Sequence, residues 1–419
     1  MRQMKDSGIE WIGEIPESWS VSKVKHHLHR NEPRNPGDCT VLSLYRELGI
    51  VPKDSRDDNH NVTSLDTSNY KYVQIGDFVI NKMKAWQGSV AVSNYEGIVS
   101  PAYYVYNFLD NAFDKLYFHY LLRSCYKDEF RRLSGGIREG QWDLSSENFD
   151  NTLVLIPPLP EQQKISTYLD RQCAHIDSVI EKTKASIEEY KKLRQAVITQ
   201  AVTKGVRGDR PMKDSGIEWI GEIPEEWKAI KTKWLLTEQK ERSENGNEEP
   251  LSMSQKFGII PTKEMDIVPN MASSFVGAKL VGIGDLVFNK LKAHLGVFAV
   301  SGYEGLVSPD YAVYRSTGKA DLRFLEYMFK TPQCINEFKK KSTGVGAGLT
   351  RLYTDGLYSI YIPLPSMTEQ KVIAEYIDKK CTEIDTLITK KETFLTELES
   401  YKKSMIYEYV TGKKEVPQS

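Results

Sequence analysis

No apolar run in this 419-residue sequence approaches the ~20 residues needed to cross a bilayer. The opening stretch MRQMKDSGIE has none of the apolar core of a signal peptide, so a cytoplasmic protein with no membrane association is expected. The five cysteines, Cys39, Cys125, Cys173, Cys334 and Cys381, are odd in number and form no Cys-x-x-Cys pair. Free thiols in a reducing compartment account for them, and a structural zinc site is not expected. Excess charge of either sign is lacking too. The formal net charge of −1 argues against indiscriminate coating of nucleic acid, but leaves room for a locally basic surface. Catalytic signatures are missing as well. There is no G-x-x-x-x-G-K-[ST] phosphate loop, and the glycines at 344, 346 and 348 imitate one only superficially. Nor is there an HExxH motif, a nucleophile elbow, or the Asn-Pro-Pro-aromatic motif of amino-methyltransferases. The chain reads as one that binds and positions.

What is present is a repeat. Residues 4–19 read MKDSGIEWIGEIPESW and residues 212–227 read MKDSGIEWIGEIPEEW, fifteen of sixteen identical at an offset of 208. The register persists: between 76–106 and 284–314 twenty of thirty-one positions are identical, and Glu161-Gln162 returns as Glu369-Gln370. Internal repetition at this scale means two copies of one fold.

Within each copy, about 155 residues carry short Val/Ile/Tyr/Phe runs such as Asp77–Asn81, Ser89–Ser93, Ala102–Tyr106 and Thr152–Ile156, separated by turn formers. Asp114–Leu133 has helical spacing, giving an α+β domain. Ile-Pro-Pro-Leu-Pro at 156–160 and Ile-Pro-Leu-Pro at 362–365 end the strands. Ser366 and Glu369 have the spacing of a capping box. Two Pro- and Gly-free stretches follow, 161–203 and 369–410. Ile165, Leu169, Ile176, Ile180, Ile187, Tyr190, Val197 and Ala201 recur at three/four spacing, as do Ile373, Ile377, Ile384, Ile388, Leu395, Leu398, Met405 and Tyr409. Each stretch predicts a helix of roughly 65 Å with one apolar seam. The fold expected is α+β: two pseudo-twofold-related domains, 1–158 and 209–364, separated by two long antiparallel coiled-coil helices in 159–208 and 365–419.

G-x-E-W-I-G-E-I-P-E-x-W opening each half, the G-D-x-V-x-N-K-x-K block, and the I-P-(P)-L-P-x-E-Q junction into a long helix together resemble the specificity subunits of type I restriction-modification enzymes over essentially the whole chain. The resemblance implies that each α+β unit is a target recognition domain for double-stranded DNA and that the helices form a spacer docking two methylation subunits. It also implies restriction subunits in the full complex. S-adenosylmethionine, ATP and Mg would then belong to those partners, with no cofactor, metal or catalytic residue on this chain. A two-headed protein-binding adaptor and a cryptic DNA-modifying enzyme are the alternatives.

Residues that would read DNA are sought where copies keep their surroundings but change their side chains. Tyr45 and Arg46 answer to Ser254, Gln255 and Lys256 between equivalent Leu-Ser and Gly-Ile steps. Lys82, Lys84, Trp86 and Gln87 answer to Lys290, Lys292, His294 and Leu295; on a strand, Lys82 and Lys84 would share a face. Arg131 and Arg132 precede a glycine-containing loop with Arg138, Gln141 and Trp142, while Lys339, Lys340 and Lys341 precede another that ends near Arg351. Trp11, Trp19, Trp219 and Trp227, kept in both copies, are expected to pack domains onto helices.

Overall fold

The computed structural model describes residues 2–45, 49–55, 63–64, 66–136, 142–254, 257–265, 274–344 and 350–417. The chain forms two compact units, Met1–Thr183 with Thr393–Ser419, and Lys184–Glu392. No helix among the described residues is long and apolar enough to cross a membrane.

The short apolar runs build the same antiparallel sheet in each unit. In the first unit the strand order is Leu28–Arg30, Tyr103–Phe108, Phe78–Asn81, Val90–Val92. In the second it is Leu236–Gln239, Tyr311–Ser316, Leu286–Asn289, Phe298–Val300. Tyr106 lies opposite Phe78 and Tyr314 opposite Leu286, so the register is shared. The period of two sends Phe78 and Ile80 to one face and Val79 to the other. Behind the first face pack α1 (Lys115–Cys125), α2 (Lys127–Leu133) and α3 (Ser146–Asp150). The second face joins Leu42, Leu44, Ile50, Val73 and Val99 in a separate apolar cluster.

The stretch expected as one helix over Asp114–Leu133 is broken at Tyr126. The break lets that fully buried ring meet Trp11 edge-on at 5.0 Å while its hydroxyl donates to the Leu153 carbonyl at 2.8 Å. Asp114 caps α1 by accepting from the Tyr117 amide at 2.8 Å.

The long helix α4 spans Leu159–Lys204. Then come α5 (Leu322–Phe329), α6 (Pro332–Lys341), α7 (Thr354–Tyr358) and the second long helix, α8 (Met367–Val410). Within each unit α4 and α8 run antiparallel. In the first, Tyr168 meets Tyr409 at 4.8 Å between ring centres and Asp177 pairs with Lys402 at 2.6 Å. In the second, Tyr190 lies 5.6 Å beneath Lys391 and Arg194 pairs with Asp385 at 3.0 Å. Numbers rise along one helix as they fall along the other. The seam buries Ile165, Leu169, Ile176 and Ile180 as expected, but towards the end of α4 it is Ile198, not Val197, that is buried. There the helix turns its face to the second unit's core, so the buried set becomes Ile198, Ala201 and Val202.

Each domain is fastened to its following helix by the Glu-Gln pair in the first turn. Glu161 accepts from Arg2 at 2.5 Å and from the Trp19 indole at 3.0 Å. Glu369 accepts from Arg210 at 2.6 Å and from the Trp227 indole at 3.0 Å. Both indoles are buried, as expected of packing residues. Gln162, fully buried, donates to the Ala112 and Pro157 carbonyls and accepts the Asp114 amide at 2.8 Å, and so holds the residue that caps α1. Gln370 does the same with Lys319, Pro365 and Asp321. The capping box of the second copy is only half made. Ser366 accepts the Glu369 amide at 3.3 Å, but the Glu369 carboxylate is spent on Arg210 and Trp227.

Two stability predictions follow from these contacts. Gln162→Leu keeps the volume but orphans an amide and two carbonyls. It should cost about 2–4 kcal/mol of stability, as measured by urea denaturation. His119 on α1 accepts the Val92 amide at Nδ1 (3.3 Å), and burial together with the Arg123 guanidinium pushes its imidazole down to about 4. A histidine depressed in the fold is neutral there, so its stabilisation is complete above ~6.5, its unfolded value, and drains as pH falls toward 4. Urea titrations at pH 7 and pH 4.5 should therefore differ by on the order of 3 kcal/mol more in the parent than in His119→Gln.

Candidate nucleic-acid interface

The strand holding the Gly-Asp block ends at Asn81, and Lys82 to Lys84 form a turn leading into the 3-10 turns Ala85–Gln87 and, in the second copy, Ala293–Leu295. Lys82 and Lys84 therefore do not share a strand face. The glycine that closes each turn, Gly88 or Gly296, has φ of 86° or 76°, which ends the helix in a left-handed cap. What the turn achieves is convergence. Leu144 donates its amide to the Lys82 carbonyl at 3.0 Å, and Leu352 donates to Lys290 at 3.0 Å. In both copies the returning arm of the glycine loop is thus pinned to the lysine turn.

In the first unit this brings two of the three expected regions together. Trp86 and Trp142 meet at 5.8 Å between ring centres, with the Arg131 guanidinium 6.0 and 5.6 Å from them. A cavity of about 380 Å³ beside Trp86 draws in Ser43, Lys53, Tyr70, Lys84 and Tyr103, so the strand Leu42–Tyr45 that ends in Tyr45 borders the same place. Arg132 turns away to a bidentate pair with Glu129 at 2.7 and 2.8 Å. Arg46, Arg138 and Gln141 lie outside the described residues, as do Gln255 and Lys256. Ser254 ends the strand Leu251–Ser254. Lys339, Lys340 and Lys341 form the exposed last turn of α6, with Lys340 bound to Glu337 at 2.7 Å. Lys84 and Lys292 are exposed; His294 and Arg351 are half-buried.

The electrostatics were not legible in sequence order. In the first unit, Glu32 binds Arg30 through both oxygens at 2.8 Å and Lys71 at 2.9 Å, with Arg30 stacked 4.4 Å from the Tyr104 ring centre. Burial pushes the Glu32 carboxyl up, but the hydrogen bonds from Arg30 and Lys71 outweigh it and hold it below the usual carboxylate range. Lys82 pairs with Asp143 at 2.8 Å, which raises the lysine. In the second unit one carboxylate does both jobs. Glu238 lies 3.2 Å from Lys279 and 3.6 Å from Lys290, and accepts from the Thr354 hydroxyl at 2.6 Å. Burial again raises it, and the Thr354 and Lys279 hydrogen bonds with the nearby Lys290 charge bring it below its ordinary value. Arg351 reaches Asp310 at 3.2 Å. Glu32, Lys71, Glu238, Lys279, Lys53 and Tyr70 were missed by the sequence reading. Only the kept Lys71/Lys279 pair left a signal, an identical residue at offset 208.

Three buried polar atoms in these clusters have no hydrogen-bond partner among the described residues: Asp143 Oδ1, His294 Nδ1 and Arg351 Nε. Unsatisfied buried groups are few in folded proteins, and each calls for an explanation. Among the described residues no three His, Cys, Asp or Glu side chains are placed to hold a metal ion. The chemistry on offer is aromatic faces, cations and free donors or acceptors on turns, held by a rigid sheet.

Comparison with known proteins identifies the family and the fold. The family model for the type I restriction modification DNA specificity domain matches twice, at residues 28–189 and 224–397. The chain is 27% identical to the type I restriction enzyme MjaVIII specificity subunit of Methanocaldococcus jannaschii, covering 95% of this chain and 93% of that one. It is 24% identical to the EcoKI specificity subunit of Escherichia coli over 70% of this chain and 64% of that one. Two solved structures share the fold. One, from work on complex assembly and conformational transition of the type I R-M system, has a TM-score of 0.71 at 14% identity, covering 96% of this chain and 99% of that one. The other is the HsdS subunit of Thermoanaerobacter tengcongensis, with a TM-score of 0.57 at 15% identity over 96% and 98%. With both halves matched by the family model, in the order the repeat dictates, the chain belongs to the type I restriction modification DNA specificity family.

Proposed function

We propose that this chain is the DNA-reading subunit of a type I restriction-modification complex, each domain reading one half of an asymmetric bipartite site. The carrying observation is the pairing of a constant scaffold with changed side chains. The backbone bonds 144→82 and 352→290 match, while Trp86, Trp142 and Asp143 give way to His294, Thr350 and Arg351. Two half-sites of different sequence require that combination. Phosphate contacts come from the exposed cations Lys84, Arg131, Lys292 and Lys339–Lys341, and base contacts from the turns between them.

The long helices supply the spacing. A half-site separation is a geometric quantity, often about one duplex turn or ~34 Å, and helices fix it where a flexible linker would not. Each compact unit takes a segment of both α4 and α8, which suits a spacer shared by both domains. The same helices dock two methylation subunits, which bring S-adenosylmethionine and methyl transfer; restriction subunits with ATP and Mg complete the complex.

Inserting one helical turn at matched positions in α4 and α8 should lengthen the unread gap and leave both half-sites unchanged. Methylome sequencing of a host expressing the variant with its methylation subunit checks this, and altered half-sites would refute it. Arg131→Gln should weaken binding evenly across sequences and lower the slope of log K against log salt by about 1, whereas Arg132→Gln, whose guanidinium is held by Glu129, should leave it nearly unchanged. Titrations at several salt concentrations measure it, and an unchanged slope in Arg131→Gln removes that residue from the phosphate contacts.

A further inference from the structure

Position 143 of the first copy and position 351 of the second are the same place in the fold. Each precedes the residue, Leu144 or Leu352, whose amide is pinned at 3.0 Å to the carbonyl of a kept lysine. Each pairs across its strand with the start of the glycine loop, Asp143 with Gly135 and Arg351 with Thr343. Yet their charges are opposite, and so are those of a second position beneath them. Arg30 of the first copy becomes Glu238 in the second, at offset 208. The kept lysine needs a carboxylate in either case. Lys82 takes it from Asp143, whereas Lys290 takes it from Glu238 at 3.6 Å. The pair at 30 and 143 is Arg/Asp; the pair at 238 and 351 is Glu/Arg. Charge at the lysine is conserved while the sign presented at the loop reverses.

Both loop residues also carry an unused polar atom. Asp143 spends Oδ2 on Lys82 and leaves Oδ1 without a partner among the described residues. Arg351 spends Nη2 on Asp310 and leaves Nε without one. One is an acceptor and the other a donor. The two atoms are themselves buried, while the side chains that carry them remain 38% and 24% exposed at the turn, so a ligand there meets the side chain and engages the spare atom once that side chain turns outward.

Resting on the DNA-reading function proposed above, we infer that position 143/351 is a base-discriminating residue in both domains, of opposite hydrogen-bonding sense. Asp143 accepts from an exocyclic amino group, the N4 of cytosine or N6 of adenine in the major groove. Arg351 donates to the O6 and N7 acceptors of guanine. Position 30/238 is the compensating residue that keeps the lysine turn folded when the reader changes sign.

The test transplants the second copy's pair into the first: Arg30→Glu with Asp143→Arg, in the full chain with its methylation subunits, selecting duplexes from a randomised library. The parent is selected first. If it enriches no bipartite motif, the DNA-reading function itself fails. If it does, the double variant should replace the amino-bearing base by guanine at one position of one half-site, leave the other half-site intact, and bind the parental site on the order of ten- to a hundred-fold more weakly. An unchanged motif bound at parental affinity overturns the inference alone. Should the double variant fold poorly, Asp143→Asn, nearly isosteric and able to donate or accept, should relax selection at that same position. Retention of the full parental preference by Asp143→Asn would overturn the inference equally.

Discussion

The arrangement depends on two adjacent side chains, Glu161-Gln162 and their copies Glu369-Gln370, in the first turn of each long helix. The first turn of a helix has amide donors to spare and tolerates carboxylate charge. Here that place is used to fasten a domain. The glutamate holds an arginine and a buried indole from the domain's opening segment, while the glutamine bridges the carbonyl before the helix to the cap of α1 or α5. Because the fastened groups are themselves buried, the entry of each helix is set by hydrogen bonds whose loss would leave unpaired polar atoms in the core. This gives a structural reason why the opening segment that ends in Trp19 or Trp227 is the best-kept stretch of the repeat.

From that anchor the division of labour follows. The sheet is the same in both copies to the level of register, while the two helices behind it differ in length and break at different points, at Tyr126 in the first and at Lys330-Thr331 in the second. Variation is exported to turns that hang from the sheet's ends, where a changed side chain does not disturb the packing of Phe78 or Phe288. The kept lysines Lys71, Lys82, Lys279 and Lys290 show how far this goes. Each has a carboxylate neighbour, but Lys82 takes it from Asp143 beside the glycine loop while Lys290 shares Glu238 with Lys279. A cation held in or near the interior is thus a fixed demand that the surrounding sequence meets in more than one way. The freedom to choose where the counter-charge sits is also freedom to choose what the outer turn presents.

The repeat, both long helices and most strands could be read directly, because their signals are local: identity at one offset, period 3.6, period two, proline stops. Two local readings failed, and a third held only in half, for nonlocal reasons. Asp114–Leu133 has unbroken helical spacing, but the chain turns at Tyr126 because its ring and hydroxyl have partners in Trp11 and Leu153. Ser366 and Glu369 have the spacing of a reciprocal cap, but Glu369 has stronger donors in Arg210 and Trp227. Lys82 and Lys84 alternate as on a strand, but the ladder stops at Asn81 and a turn begins.

The sequence by itself determined that there are two like domains, each followed by one long helix, and where their divergence concentrates, since all of this is written in spacing and identity along the chain. It also pointed to the lysine turn and the glycine loop as candidate regions. Only the tertiary structure decided that these regions meet, which lysines are neutralised and by whom, and which polar atoms are left over. Those facts depend on side chains brought together across 30 to more than 100 residues, such as Arg30 with Ser146 and Glu238 with Thr354. No pattern along the chain specifies such an encounter until the sheet has folded and fixed the distances.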